Sequence, residues 1–260
     1  MILTVPTDVS RAATVEIRKI TTLRAGWMLI PVCAAIGFVA TAVTAITGTG
    51  PQKDQALATG TASIGIYLGI ATALVTGAVF AALGSGGEYR FGSMPLTALF
   101  TPDRDVLCGT KLAVAAGYSL LLALAAEVGA ALALAIFGRD EIEFGLRLAT
   151  VFGGGLLAPA CWGVIGASLG LLLRSAVPAI GAMAAWLVVV EPLLWVVMNG
   201  IGVPGFAAML PGSATVGTVA VDSFPKSPFL PPSAASVVVL LLWAAAAGGA
   251  AWWYLREREI

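Results

Sequence analysis

The sequence predicts an all-α polytopic membrane protein with six transmembrane helices, and three observations carry that prediction. Of its 260 residues 59% are hydrophobic and only 11% are charged, where a soluble domain has about 25% charged residues. Mean hydropathy is +0.96. Apolar runs of about twenty residues, the length that crosses a bilayer as a helix, recur along the chain. The whole chain, 1–260, reads as a single transmembrane domain.

The elements follow in order. Residues 10–26 mix Val15, Ile17, Ile20 and Leu23 with Glu16, Arg18, Lys19 and Arg24, the make-up of an amphipathic helix lying in the membrane interface. Charges appear here before any apolar run, so the segment does not read as a signal peptide. Spans are expected at 27–47, 61–83, 112–137, 148–173, 177–198 and 233–255. Trp27 opens the first span where an interfacial aromatic belongs. The second carries Gly65, Gly69, Ala73 and Gly77 at intervals of four, a stripe that permits close helix contact. Thr72 and Thr76 lie on a neighbouring face, where they either bond their own helix or line a path.

Between the second and third spans, residues 84–111 hold Glu88, Arg90, Asp103, Arg104, Asp105 and Lys111. The stretch is too polar for lipid and too long for a turn. Pro95 and Pro102 divide it, so it is expected to be a loop with a short amphipathic helix along the membrane surface. Residues 199–232 are apolar but broken by glycines and prolines. No single span fits, and short segments around Phe206–Leu210 and Ala214–Val221 are expected to dip into the membrane and return.

Six spans put both termini on one face. That face, with 84–111, Arg174 and the tail, carries ten of the fourteen Lys and Arg residues. The positive-inside rule therefore makes it cytoplasmic, and 199–232 faces outward.

The chemistry is mostly exclusion. Equal numbers of acids and bases, with no dense basic patch, leave no case for nucleic acid. There is no histidine, which removes a Ser–His pair, a His metal site and a His proton relay. Cys33, Cys108 and Cys161 are scattered, two expected in helices and one in the loop, and suggest neither disulfides nor a metal. No Walker A pattern is present. Gly166-Ala167-Ser168-Leu169-Gly170 matches a nucleophile elbow but lies in an apolar helix without a base, so helix contact explains it better. No catalytic, cofactor or metal residue is assigned. Glu127 and Glu191 are acids inside spans, where a charge costs at least about 2.5 kcal/mol. Each is a structural acid or, with Thr72 and Thr76, a pathway candidate.

Several stretches together resemble the ABC transporter type-2 permease family, the membrane subunits of bacterial ABC exporters with the type V exporter fold. They are Glu16-Ile17-Arg18-Lys19-Ile20-Thr21-Thr22-Leu23-Arg24 with Trp27 behind it, Gly87-Glu88-Tyr89-Arg90-Phe91-Gly92-Ser93, Thr101-Pro102-Asp103-Arg104 with Lys111, Leu171-Leu172-Leu173-Arg174-Ser175, and Leu210-Pro211. The resemblance implies a bacterial plasma-membrane exporter of hydrophobic or amphipathic cargo. Two permeases, identical or homologous, would each bind a separate ATPase subunit that holds ATP and Mg. A coupling helix within 88–100 would dock on the ATPase, with Glu88, Tyr89, Arg90, Phe91, Thr101, Pro102 and Arg104 as coupling residues and Glu16, Lys19 and Arg24 of the N-terminal helix assisting. The second and fifth spans would face the dimer centre, and the segments after the fifth would form an outer lid. The competing reading is an ATP-independent secondary transporter or membrane scaffold.

Overall fold

The computed structural model describes residues 6–48, 62–138, 145–221, 230 and 232–257. Among them there is no strand, and six helices are long and apolar enough to cross a membrane. They are α2 (Arg24–Thr47), α3 (Ala62–Arg90), α5 (Arg104–Phe137), α6 (Leu146–Leu172), a fifth spanning Ala176–Gly200, and α10 (Ser233–Glu257). The fifth is interrupted: α7 (Ala176–Ala185) passes through a π-helical turn at Trp186–Val190 into α8 (Glu191–Gly200). Pro192, which has no N–H to give the preceding turn, stands two residues past the end of that π turn. Shorter helices are α1 (Thr7–Thr22), α4 (Met94–Phe100), a 3-10 turn (Pro204–Met209) and α9 (Pro211–Val219).

The largest departure from the sequence expectation is at 84–111. The second and third spans were expected to end at 83 and begin at 112, but α3 runs on to Arg90 and α5 starts at Arg104. The polar stretch is mostly helix, with Glu88 and Lys111 paired to each other and to α1 and with Arg104 and Asp105 bonded to α10. Cys108, expected in a loop, is therefore buried inside α5, and all three cysteines are free and buried. The N-terminal segment also differs. Leu23 is extended (φ −81°, ψ 128°) and separates α1 from α2, so 10–26 is not one helix and Arg24 opens the first span. After the fifth span the helical pieces are 204–209 and 211–219, each starting at a proline, which suits a first helical position. Lys53, Asp54, Arg139, Asp140, Glu141, Glu143, Lys226 and Arg258 lie outside the described residues.

Close backbone approach explains how α3, α5 and α6 form the centre. A methyl group on Gly166 of α6 would sit 2.2 Å from the Ala78 carbonyl oxygen of α3. One on Gly129 of α5 would sit 2.0 Å from the Ala34 oxygen of α2. The glycine stripe of α3 is also spent within the chain: Gly65 meets Thr41 and Thr44, Gly69 meets Gly37, and Gly77 meets Ser119. It therefore does not form an outward seam. The apolar window of α6 is 67% buried and that of the fifth span 11%, so α6 is the hub and the fifth span lies at the edge.

Candidate functional site

Four charges meet where α1, the end of α3 and the start of α5 converge. Glu16 and Lys19 lie one helical turn apart on α1 and face inward, beside the buried Ala12. Lys19 Nζ reaches Glu16 at 2.7 Å and Glu88 at 2.6 Å, and Lys111 Nζ reaches Glu16 at 2.9 Å and Glu88 at 2.5 Å. Each glutamate uses its Oε1 to accept from both lysines. Two acids and two bases make the group neutral, which is what lets it be buried beside apolar helices. Burial alone would raise the Glu16 pKa, but Lys111 and Lys19 outweigh it and hold the carboxyl below its usual range. For Lys19 burial acts downward, and hydrogen bonds to Glu16 and Glu88 reverse it and hold the ammonium above its usual value. The Tyr118 hydroxyl donates to the Gly26 carbonyl at 2.9 Å, fastening the start of α2 to α5 near the same place.

Beyond this cluster the chain reverses and presents an apolar tip. Ser93 N–H donates to the Glu88 carbonyl at 2.9 Å and Gly92 N–H to Tyr89 at 3.3 Å, with Gly92 at φ +66°. This is the Schellman ending, and it needs the left-handed residue that glycine supplies. α4 follows at once. Met94 anchors it in a core with Leu107, Cys108, Leu171, Ala251 and Leu255. Its other end is exposed, Leu99 by 76% and Phe100 by 86%, and Phe91, in the turn before the helix, is 80% exposed. Asp103 then caps α5, accepting from the N–H groups of Asp105 and Val106.

The same end is clasped by α10 and the α6–α7 turn. Arg104 donates to the Leu255 carbonyl at 2.6 Å, and Trp252 Nε1 donates to Asp105 at 2.8 Å. Arg174, at φ +49°, places its guanidinium 5.6 Å from the Tyr89 ring and 5.3 Å from the Tyr254 ring.

The expected coupling residues therefore divide. Arg90, Phe91 and Pro102 are exposed, Thr101 is half-buried, and Glu88, Tyr89 and Arg104 hold the framework. Of the N-terminal trio, Glu16 and Lys19 join the charge cluster while Arg24 is exposed at the start of α2.

An apolar cavity of about 370 Å³ lies on the opposite side of the core, between α3, α6, α8 and α9. Glu191 stands at its wall and accepts from Gly212 N–H at 3.0 Å, Ser213 N–H at 2.6 Å and Ser213 Oγ at 3.3 Å. A carboxylate at these N–H groups satisfies the open donors of the α9 N-terminus and complements its dipole. Two tryptophans hold α9 from the sides. Trp195 Nε1 donates to Ser213 Oγ at 2.9 Å, and Trp162 Nε1 donates to Thr215 Oγ1 at 2.8 Å. Thr72 and Thr76 are not in this wall. Thr72 donates to the Leu68 carbonyl of its own helix at 2.8 Å, and Thr76 lies beside Cys33 of α2. Glu127 is buried against Gly155 and Ile70, and among the described residues no group pairs with its Oε1. None of the four acids and bases of the cluster lines the cavity, so the two regions are separate.

The sequence reading missed Trp162, Trp195 and Ser213. Trp162 carried a signal, since a tryptophan in mid-span rather than at an interface needs a partner for its N–H. Among the described residues no group of three or more His, Cys, Asp or Glu side chains could hold a metal ion. No protein-family model matches the chain, and no curated protein matches it.

Proposed function

We propose that this chain is the membrane permease subunit of an ATP-driven exporter of hydrophobic or amphipathic molecules, powered by a separate ATPase. The observation that carries the reading is the tip formed by Phe91, Leu99 and Phe100. Leu99 and Phe100 end the helix that Met94 anchors, Phe91 stands exposed in the turn before it, and the neutral charge cluster braces the base. A push on α4 would pass directly into α3 and α5, because rigid helices leave the tip in both directions. The positive-inside count makes this end cytoplasmic, where a soluble ATPase would meet it. α1 would be the interfacial N-terminal helix, α4 the coupling helix, and the 204–219 region the outward re-entrant lid. The cavity between α3, α6, α8 and α9 is apolar, which suits such a cargo.

A photo-crosslinking side chain at Phe100, in the chain's own host, tests this reading. Adducts with a soluble protein carrying a Walker A sequence support it. Adducts with lipid alone contradict it.

The second reading, a proton-coupled transporter, draws on Glu127. A buried acid with an unpartnered oxygen among apolar helices offers a place for a coupling proton. Transport that stops with an uncoupler, persists on ATP depletion and is lost in Glu127→Gln would favour it.

A further inference from the structure

A second apolar hollow, of about 390 Å³, opens between α1, α2 and α5. Ile17 and Ile20 line it from α1, Trp27 and Ile30 from α2, and Val114 and Leu121 from α5. The polar groups in its walls are spent on one another. Trp27 Nε1 donates to the Thr21 carbonyl at 2.7 Å, Thr21 Oγ1 donates to the Arg18 carbonyl at 3.2 Å, and the Tyr118 hydroxyl donates to the Gly26 carbonyl. The interior therefore offers a sugar or a peptide nothing to bond and offers an alkyl chain a continuous apolar wall.

The rim has the opposite character. Arg18 and Arg24 are both exposed, and helix spacing sets Arg18 one turn before the lining Thr21 and Arg24 one turn before the lining Trp27. Arg11, seven residues before Arg18, lies on the same face of α1. The nearest acid of α1, Glu16, is turned inward to Lys19 and Lys111. Asp8, the other acid of that helix, is exposed but nearly three turns from Arg18. A hollow that is apolar inside and cationic at its lip, entered from the side of a spanning helix, matches an anionic amphiphile.

We propose that this hollow holds one anionic phospholipid, with an acyl chain against Trp27 and Leu121 and the phosphate at Arg18 and Arg24. The bound lipid would wedge α1 in the position from which Glu16 and Lys19 complete the charge cluster. The proposal is independent of the exporter reading, since it concerns occupancy and not transport.

Brominated lipids provide the test, because bromine quenches a tryptophan only on contact. The full chain is placed in phosphatidylcholine bilayers containing either brominated phosphatidylglycerol or brominated phosphatidylcholine. The Trp27 signal is isolated as the difference between the wild type and Trp27→Phe. The expected result is quenching by phosphatidylglycerol that saturates at low mole fraction, with a preference of roughly tenfold or more, the size that two surface arginines confer. Arg18→Gln with Arg24→Gln should abolish the preference. Gly117→Phe should abolish the saturable part, because Gly117 borders the hollow and a side chain there meets open space. Equal and linear quenching by both lipids would overturn the proposal. So would a Trp27 shielded from both, which would mean that protein covers the hollow.

Discussion

Glu88, in the last turn of α3, and Lys111, two turns into α5, meet at 2.5 Å with both side chains buried. The residues between them form the projecting turn and α4, so this pair closes the base of the tip. Glu16 and Lys19 come from α1 to complete it. A segment that looks like a charged loop thereby becomes a rigid extension of two spanning helices.

The cluster is balanced, and balance predicts an asymmetry. Lys111→Met should destabilise the protein by about 3–5 kcal/mol, because it leaves buried carboxylates short of a cation. The double variant Glu88→Gln with Lys111→Met should recover most of that loss, since Glu16 and Lys19 remain as a neutral pair. Lys19→Met alone should cost less, as that side chain is over a third exposed and its charge is screened. Thermal unfolding in one detergent compares all three, and a double variant as unstable as Lys111→Met would refute the balance.

Acid should release α1. The folded pKa of Glu16 lies below its usual value of 4.5, so its contribution is complete above that pH and disappears as pH falls through the lower folded value. The folded pKa of Lys19 lies above 10.5, so its contribution is complete below that and is lost as pH rises through the folded value. Amide exchange in α1, corrected for its intrinsic pH dependence, should show constant protection between about pH 5 and 10 and lose it in acid. In Glu16→Gln the acid step should be absent.

Glu191 should act through α9. Glu191→Ala removes the acceptor for Gly212 and Ser213 N–H, at a cost of about 1–3 kcal/mol for buried donors left open. Faster amide exchange at 212–213 is the expected result, with Glu191→Gln intermediate because its amide oxygen still accepts. Unchanged exchange in the alanine variant would show that the two tryptophan contacts hold α9 without it.

Gly166→Leu should impair folding, because its Cβ would meet the Ala78 carbonyl oxygen at 2.2 Å. Gly181→Leu is the control, since a side chain there meets open space. Folded yield in membranes should fall for the first and hold for the second. Equal yields would mean that α3 and α6 can separate without loss.

Composition and the spacing of apolar runs made the six long helices legible. Leu23 was not legible as a break, because leucine has good helix propensity and only its backbone angles reveal the interruption. The continuation of α3 and α5 through 84–111 was hidden for a different reason. Charge looks like solvent exposure until its partners are known, and Glu16 stands far from Lys111 in the chain. Glu191 was recognisable as an acid needing a partner, but the partner is backbone N–H of a later helix, which no residue pattern announces. The glycine stripe of α3 marked close contact correctly and left open whose contact it was; Gly37 and Ser119 of the same chain fill it.

Native mass spectrometry of the gently purified protein from its own host's membranes, run beside Phe91→Asp with Phe100→Asp, tests whether the chain is an exporter subunit. The expected result is an assembly of two permeases and two soluble ATPase subunits, with the ATPases lost from the double variant. The chain alone, under conditions that preserve other weak membrane complexes, would contradict it.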